Sequence, residues 1–390
     1  MALVWDEQQQ MLQDSASVFI NENAPVSHLR ELRDRHDADG FSRPLWKRFG
    51  EMGFAGVLVP EPFGGLGLGQ AEAGVLMQAL GHTIAPSPLW STGVVAASAI
   101  GAAGSDEQKQ AWLPRIAAAD CVIAFAVDEG AKHRPDRIAT RIGRAANGQG
   151  WVLSGQKSFV VDGHVADLLI VVAAGPDDGA VTLVLVDPKA KGVAIERTIM
   201  ADAHNAARVR FDGVALPADA VLGGAARVGQ GAATLARVLD IGRAAVAAEL
   251  QGLSDEVFAR TVAYLKERKQ FGRLIGEYQA LQHRAAIVYT ENEVSRAAVL
   301  NAARQLDATR ADAQPGTQAV AAASPAVMVA KARAGASATL AVQEGVQMHG
   351  GMGMTEDLDF GLFMKRARVL QELFGDDEYQ ADRFAVQAGY

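Results

Sequence analysis

The chain has 390 residues, 49% hydrophobic and 21% charged, with a net charge of −8, an ordinary balance for a globular protein of two or three domains. That acidity argues against nucleic acid or an anionic membrane as the main partner, and no apolar run reaches the ~18 residues that span a bilayer. A single cysteine, Cys121, excludes an internal disulfide and a cysteine-clustered metal site, and with no basic–apolar–small leader at the start a cytoplasmic protein is expected.

Residues 1–118 read as a helical domain. Val18 and Phe19, Leu29 and Leu32, then Leu45, Trp46 and Phe49 recur at amphipathic spacing. "VPEPFGGLGLG" (59–69) interrupts them as a rigid glycine-rich loop; its glycines join no strand to a helix, so they are no dinucleotide fingerprint. Ser105, with Gln108 three residues on, is the expected N-cap of the next helix.

Residues 119–222 read as an all-β domain, a small barrel or sandwich. "WVLSGQKSFVV", "DLLIVVAA" and "VTLVLVD" are short β-branched runs, and Asp162-Gly163 and Asp212-Gly213 are expected turns. No βαβ unit of ~30 residues occurs, so a dinucleotide-type doubly wound sheet is not expected.

Residues 223–390 read as a four-helix bundle. Leu235, Leu239, Gly242, Val246, Leu250, Leu253 and Val257 form a stripe at three- and four-residue spacing. Asp307–Pro325 reads as the clearest break between later helices. In "ERKQFGRLIGEYQALQHR" (267–284), Arg268, Lys269, Arg273 and the amides of a helix start suit a pyrophosphate, and equally a solvated basic turn. Gly350, Gly351 and Gly353 follow a helix, allowing close backbone approach to a flat ligand or another subunit, or a plain helix-ending turn. His349 has no second His or Cys at ligand spacing, so no metal is expected.

Taken in order, "VPEPFGGLGLG", "DEQKQAWLPRIAAAD", "LSGQKSFVVDG", "ERKQFGRLIGEYQALQHR" and "QMHGGMGMTED" resemble the acyl-CoA dehydrogenase family along nearly the whole chain. The ending "KRARVLQELFGDDEYQADRFA" looks most like the bacterial branch with pimeloyl-CoA dehydrogenase small subunits and sterol-degradation dehydrogenase subunits. The resemblance implies helical, β and helical domains, a homotetramer or a heterotetramer with a related subunit, and FAD between the β domain and the C-terminal bundle. It implies α,β-desaturation of an acyl-CoA substrate, with electron-transfer flavoprotein as acceptor. A carboxylate would take the α-proton while hydride leaves to the flavin.

Matched residue by residue, Arg268, Gln270 and Phe271 correspond to a neighbouring subunit's contacts to the FAD pyrophosphate region. Tyr278 and Gln279 resemble the cofactor-contacting pair that follows, and Gln347, Gly350 and Gly351 the segment that meets the adenosine half. Arg243 matches a helix arginine near the acyl-CoA site. Three departures stand out. "AVDEG" (126–130) has Val127 where the family's loop has Thr; Phe159 and Val161 stand where the family has Trp and Thr; and Phe374 stands where most members carry the glutamate base. The alternative family position for a base, just before Arg243, is Gly242. Asp240 is the favoured relocated base, with Asp376 and Glu249 weighed beside it. A non-catalytic partner subunit of a heteromeric enzyme is the competing expectation.

Overall fold

The computed structural model describes residues 4–146, 148–176, 179–311 and 318–390, of which 310–311 and 318–323 through the backbone alone. The N-terminal part holds α1 (Glu7–Asn23), α2 (Val26–Asp34), α3 (Arg43–Glu51), α4 (Gln70–Thr83), α5 (Ala97–Ala103) and α6 (Asp106–Ala117). The N-cap expected at Ser105 forms, and two further caps that the sequence reading did not name appear beside it. Asp6 with Gln9 and Ser105 with Gln108 form capping boxes, and Ser42 caps α3. Phe19, Phe49 and Phe54 meet edge to face with centroids 5.7–5.8 Å apart and anchor this core. Between α4 and α5 the chain winds as a π-helix, Leu89–Ala96, which presents Trp90 inward.

Seven strands follow: β1 (Ile123–Ala126), β2 (Arg141–Arg144), β3 (Trp151–Val161), β4 (Leu168–Ala174), β5 (Val181–Val186), β6 (Val193–Ile199) and β7 (Asn205–Leu216). Their order is β1-β4-β2-β3-β7-β6, with β5 on β4; β1 and β4 run parallel, but no helix among the described residues joins them. The sheet curls, and its strands β1 and β4 are buried on both faces. On β4, Leu169, Val171 and Ala173 enter the sheet's own core, while Leu168, Ile170 and Val172 pack toward the helices.

Asp212-Gly213 is not the expected turn. Leu153 pairs with Val214 and Gly155 with Phe211, so β7 carries one extra residue there and Gly213, at φ +61°, forms a bulge. Both flanks still find partners on β3, so the chain bulges and continues instead of reversing.

The C-terminal part contains α7 (Ala232–Glu267), a hairpin of β8 (Lys269–Gln270) and β9 (Arg273–Leu274), α8 (Gln279–Ala311), α9 (Gln318–His349), α10 (Phe360–Glu372) and α11 (Asp377–Ala388). The expected stripe on α7 is buried, but so is every residue from Val238 to Ser254, because α4, α8 and α9 surround the helix. Helix α4 approaches α7 closely: a Cβ on Gly81 would lie 2.1 Å from Glu249 O, and one on Gly252 2.0 Å from Gln78 O.

Among the described residues this part has three long helices, α7, α8 and α9, with α10 packed on α9 and α7 and α11 packed on α9. The backbone turns at Phe374 and Gly375 end α10, and Asp376 caps a new helix. The break expected over Asp307–Pro325 is narrower too. Alanine favours helix, so α8 continues to Ala311 and α9 contains Pro325, while residues 312–317 lie outside the described residues. Among the described residues, no helix is long and apolar enough to cross a membrane.

Candidate active site

The three parts meet around a cavity of about 460 Å³. Phe41, Pro86 and Trp90 come from the N-terminal helices, Phe159, Val161 and Met200 from the sheet, and Val369, Leu373 and Phe374 from the end of α10. Phe159 sits on a β3 bulge between Lys157 and Val160 at φ +53°, and its ring remains 53% exposed over the cavity. A bulky residue in the left-handed region is strained, and strain of this kind clusters at functional sites.

Phe374 is the second such residue, at φ +58°. Its ring packs on Trp90 (centroids 5.0 Å) and stacks on His133 (5.6 Å). It also fills the space beside Gly242, where a Cβ would lie 2.6 Å from Phe374 Cε2. A side chain at 242 and a ring at 374 exclude one another. The turn is held from below: Arg243 Nε donates to Phe374 O (2.9 Å), Gln380 Nε2 donates to the same oxygen (3.1 Å), and Lys331 Nζ donates to Gln371 O (2.8 Å) and Gly375 O (3.2 Å).

Asp240 does not line this cavity. Its Oδ1 accepts from Arg243 Nη1 (2.9 Å) and its Oδ2 from the Ser324 hydroxyl, so both oxygens are engaged in the helix interior. Arg243 is 1% exposed and also lies behind the wall; its Nη2 donates to His133 Nε2 (3.1 Å), whose Nδ1 faces Asp128 (2.9 Å). Asp376 caps α11 and pairs with Lys132 (3.1 Å), outside the cavity lining. Glu249 does reach the cavity, where burial pushes its carboxyl up, but Arg366 binds it (2.7 Å) and binds Asp202 as well (2.8 Å).

Two cavity residues escaped the sequence reading. Asp162 follows β3 directly, accepts the Ser91 hydroxyl (2.6 Å), and is pushed up to about 6 by burial, against the pull of Ser91 and Arg366. His204 is buried in the β6–β7 turn, and burial holds it down to about 4. The Asp162-Gly163 pair reads from sequence as a turn, and nothing in the sequence singles out His204; only the β3–β7 register brings them to one wall. Lys157 was missed as well. It is 0% exposed, donates to Val127 O (3.0 Å) and pairs with Glu129 (2.7 Å). Burial works against the Glu129 charge, yet the Lys157 ammonium and the Ala139 and Thr140 amides hold its carboxyl below the usual range. Val127 is therefore clamped by its carbonyl and does not line the cavity, whereas Val161 does.

The hairpin lies elsewhere. None of Arg268, Gln270, Phe271, Tyr278, Gln279, Gln347, Gly350 or Gly351 lines the cavity. Phe271 is 92% exposed at φ +52°, and the exposed Arg268 side chain meets no acceptor among the described residues. Tyr278 is half-buried under the Arg273 guanidinium (3.9 Å), and Gln279 opens α8. Gln347 is exposed in the last turn of α9, and Gly350 (φ +60°) and Gly351 have open space beside them. His349 is packed rather than free: its Nδ1 donates to Gly345 O (2.7 Å) and its ring stacks on Tyr264 at 4.1 Å.

The chain matches three family models in succession: the acyl-CoA dehydrogenase N-terminal domain over residues 6–120, the middle domain over 121–214 and the C-terminal domain over 229–388. A solved structure of a variant of the steroid ACAD Tcur3481-Tcur3483 is 30% identical and superposes with a TM-score of 0.84 over 98% of each chain. The chain belongs to the acyl-CoA dehydrogenase family. Members of this family are flavoprotein oxidoreductases. The mitochondrial isovaleryl-CoA dehydrogenase of Pongo abelii is 27% identical over 384 residues, 95% of this chain and 86% of that protein. The ChsE4-ChsE5 complex of Mycobacterium tuberculosis shares the fold, with a TM-score of 0.87 at 24% identity over 100% of this chain and 99% of that one. These likenesses agree with the bacterial sterol-degradation branch of the acyl-CoA dehydrogenases.

Proposed function

We propose that this chain works in FAD-dependent α,β-desaturation of an acyl-CoA thioester as a half-site subunit, beside a related chain that carries the base. The observation that carries this reading is Phe374 packed against Gly242: the family's two positions for a carboxylate are closed together, one by a ring and one by its absence of a side chain. Asp240 would have to leave Arg243 and Ser324 before it could take a proton.

The residues present fit FAD when two chains share it. The exposed Phe159 ring over the cavity suits a flat ring system, and a Cβ added at Gly130 would meet nothing within 4 Å. Val127 and Val161 bring no hydroxyl, a loss of about 0.5–1.5 kcal/mol for each missing bond. Arg268, Gln270 and Phe271, with the Gln347–Gly351 segment, would hold the pyrophosphate and adenosine of a neighbour's cofactor; Arg268 contributes an unmatched cation and Phe271 an uncovered ring. FAD, when bound, supplies the hydride acceptor. This chain's own part is to position and to exclude water: Trp90, Leu373 and Phe374 wall the cavity with apolar surface. Electron-transfer flavoprotein would reoxidise the assembly, as the family implies. The steroid ACAD is named for two components, which supports a two-chain assembly.

The open cavity with Phe159 over it favours a second reading, a self-sufficient homotetramer with a relocated base, Asp240 above all. The visible spectrum separates the two. Purified alone, a half-site subunit should be colourless and inert toward CoA thioesters, and yellow when co-expressed with its partner chain. A yellow homotetramer whose flavin is bleached anaerobically by an acyl-CoA overturns the half-site reading. Loss of that bleaching in Asp240→Asn, with the colour kept, would then assign the base.

A further inference from the structure

The cavity wall around Phe374 is apolar, but the opposite wall, at the joined ends of β3 and β7, is not. Val161 pairs with Ala206, which sets Asp162 opposite Asn205, and Asp162 N donates to Asn205 O (3.2 Å). Three polar atoms on this wall have unused bonding capacity. Asp162 Oδ2 is taken by Ser91, while Oδ1 accepts nothing among the described residues. His204 Nδ1 faces Asp202 O (3.3 Å) and the Asp202 carboxylate (3.4 Å), which leaves Nε2 as a buried lone-pair acceptor that meets no donor. Asn205 Oδ1 accepts from Arg197 Nε (3.0 Å), which orients the amide and leaves its Nδ2 hydrogens with no acceptor among the described residues.

Two acceptors and one donor match a group that both gives and takes a hydrogen bond. The cations on the lining are already committed. Arg366 holds Glu249 and Asp202, Lys132 holds Glu372 and Asp376, and Arg368 holds Glu372, so an anionic acyl terminus finds no counter-charge. It would instead face the carboxylates of Asp128 and Asp162. We infer that the acyl group admitted by this cavity carries a neutral hydroxyl, which donates to His204 Nε2 and accepts from Asn205 Nδ2. The inference rests on the acyl-CoA reading above and names the class of acyl group.

The test is calorimetric titration of the protein in its natural assembly. Butyryl-, hexanoyl- and octanoyl-CoA are compared with their ω-hydroxy and ω-carboxy counterparts. At one chain length at least, the hydroxy compound should bind about tenfold or more tighter than the plain thioester, because the plain compound leaves buried polar atoms unpaired. The carboxy compound should bind no better than the plain one. His204→Phe should bring the hydroxy preference near unity. His204→Gln, which restores an acceptor, should recover much of the preference. Equal binding of hydroxy and plain compounds at all three lengths overturns the inference while leaving the acyl-CoA reading intact. Loss of flavin in His204→Phe, with the preference kept, assigns the wall to the cofactor and also overturns it. If no CoA thioester binds at all, the acyl-CoA reading falls and this inference falls with it.

Discussion

Phe374 and Gly242 share one space, and that pairing makes a stability prediction. Phe374→Ala removes a ring packed on Trp90, His133 and Gly242 and should cost about 3–5 kcal/mol. Gly242→Ala puts a methyl into the ring edge and should cost about 1–3 kcal/mol. Combined with Phe374→Leu, which withdraws the ring edge, Gly242→Ala should cost less than the two changes added; strict additivity in urea unfolding would dissolve the pairing. Asp162 and His204 act on stability with opposite signs. Asp162 is raised to about 6, so its stabilisation is full below the ordinary aspartate value and lost as pH climbs through about 6. His204 is held at about 4, so its stabilisation is present above the ordinary histidine value and lost as pH falls through about 4. Between pH 4 and 6 the two slopes oppose. Asp162→Asn should therefore steepen the rise of Tm with pH over this range, and His204→Gln should flatten or reverse it; identical Tm profiles would remove both assignments.

At the scale of elements, the loop 127–130 owes its place to a buried lysine on the neighbouring strand. Lys157→Met strips Glu129 of its cation inside the protein and should destabilise by about 3–5 kcal/mol. Adding Glu129→Gln should return much of that loss in urea unfolding, since the unpaired charge is the costly part. "LSGQKSFVV" was legible as a strand, though the bulge between Lys157 and Val160 leaves Phe159 exposed and buries Val160. The inward lysine was not legible, because a lysine in a strand reads as solvent-facing until the partner carboxylate is placed across from it. The bulge at Gly213 was hidden for a similar reason: Asp-Gly permits a turn, but the register with β3 turned it into an extra residue within a continuous strand. The Ser105–Gln108 capping box, by contrast, involves residues three apart, and it formed as read.

At the scale of the molecule, the cavity and the 268–278 hairpin stand apart on one chain, and under the half-site proposal a second chain completes the site. Arg268→Ala and Phe271→Ala change exposed side chains without partners among the described residues, and each should leave stability within about 0.5 kcal/mol of the parent. In the assembled protein, Arg268→Ala should weaken FAD retention about tenfold or more, through loss of a charge-assisted bond, as read from the fluorescence of released flavin. Undiminished retention would remove the hairpin from the cofactor site. Local patterns sufficed for the order of helical, β and helical parts, the helix caps and the apolar stripe of α7, because each depends on residues a few positions apart. The family frame could be read the same way, segment by segment, and with it the oddity of Phe374. Long-range packing alone settled the rest. That Phe374 fills the space of Gly242, that Asp240 faces Ser324 instead of the cavity, and that Asp162, His204 and Asn205 share a wall all join residues tens to more than a hundred positions apart. Such encounters follow from strand register and helix docking, which a linear sequence does not display.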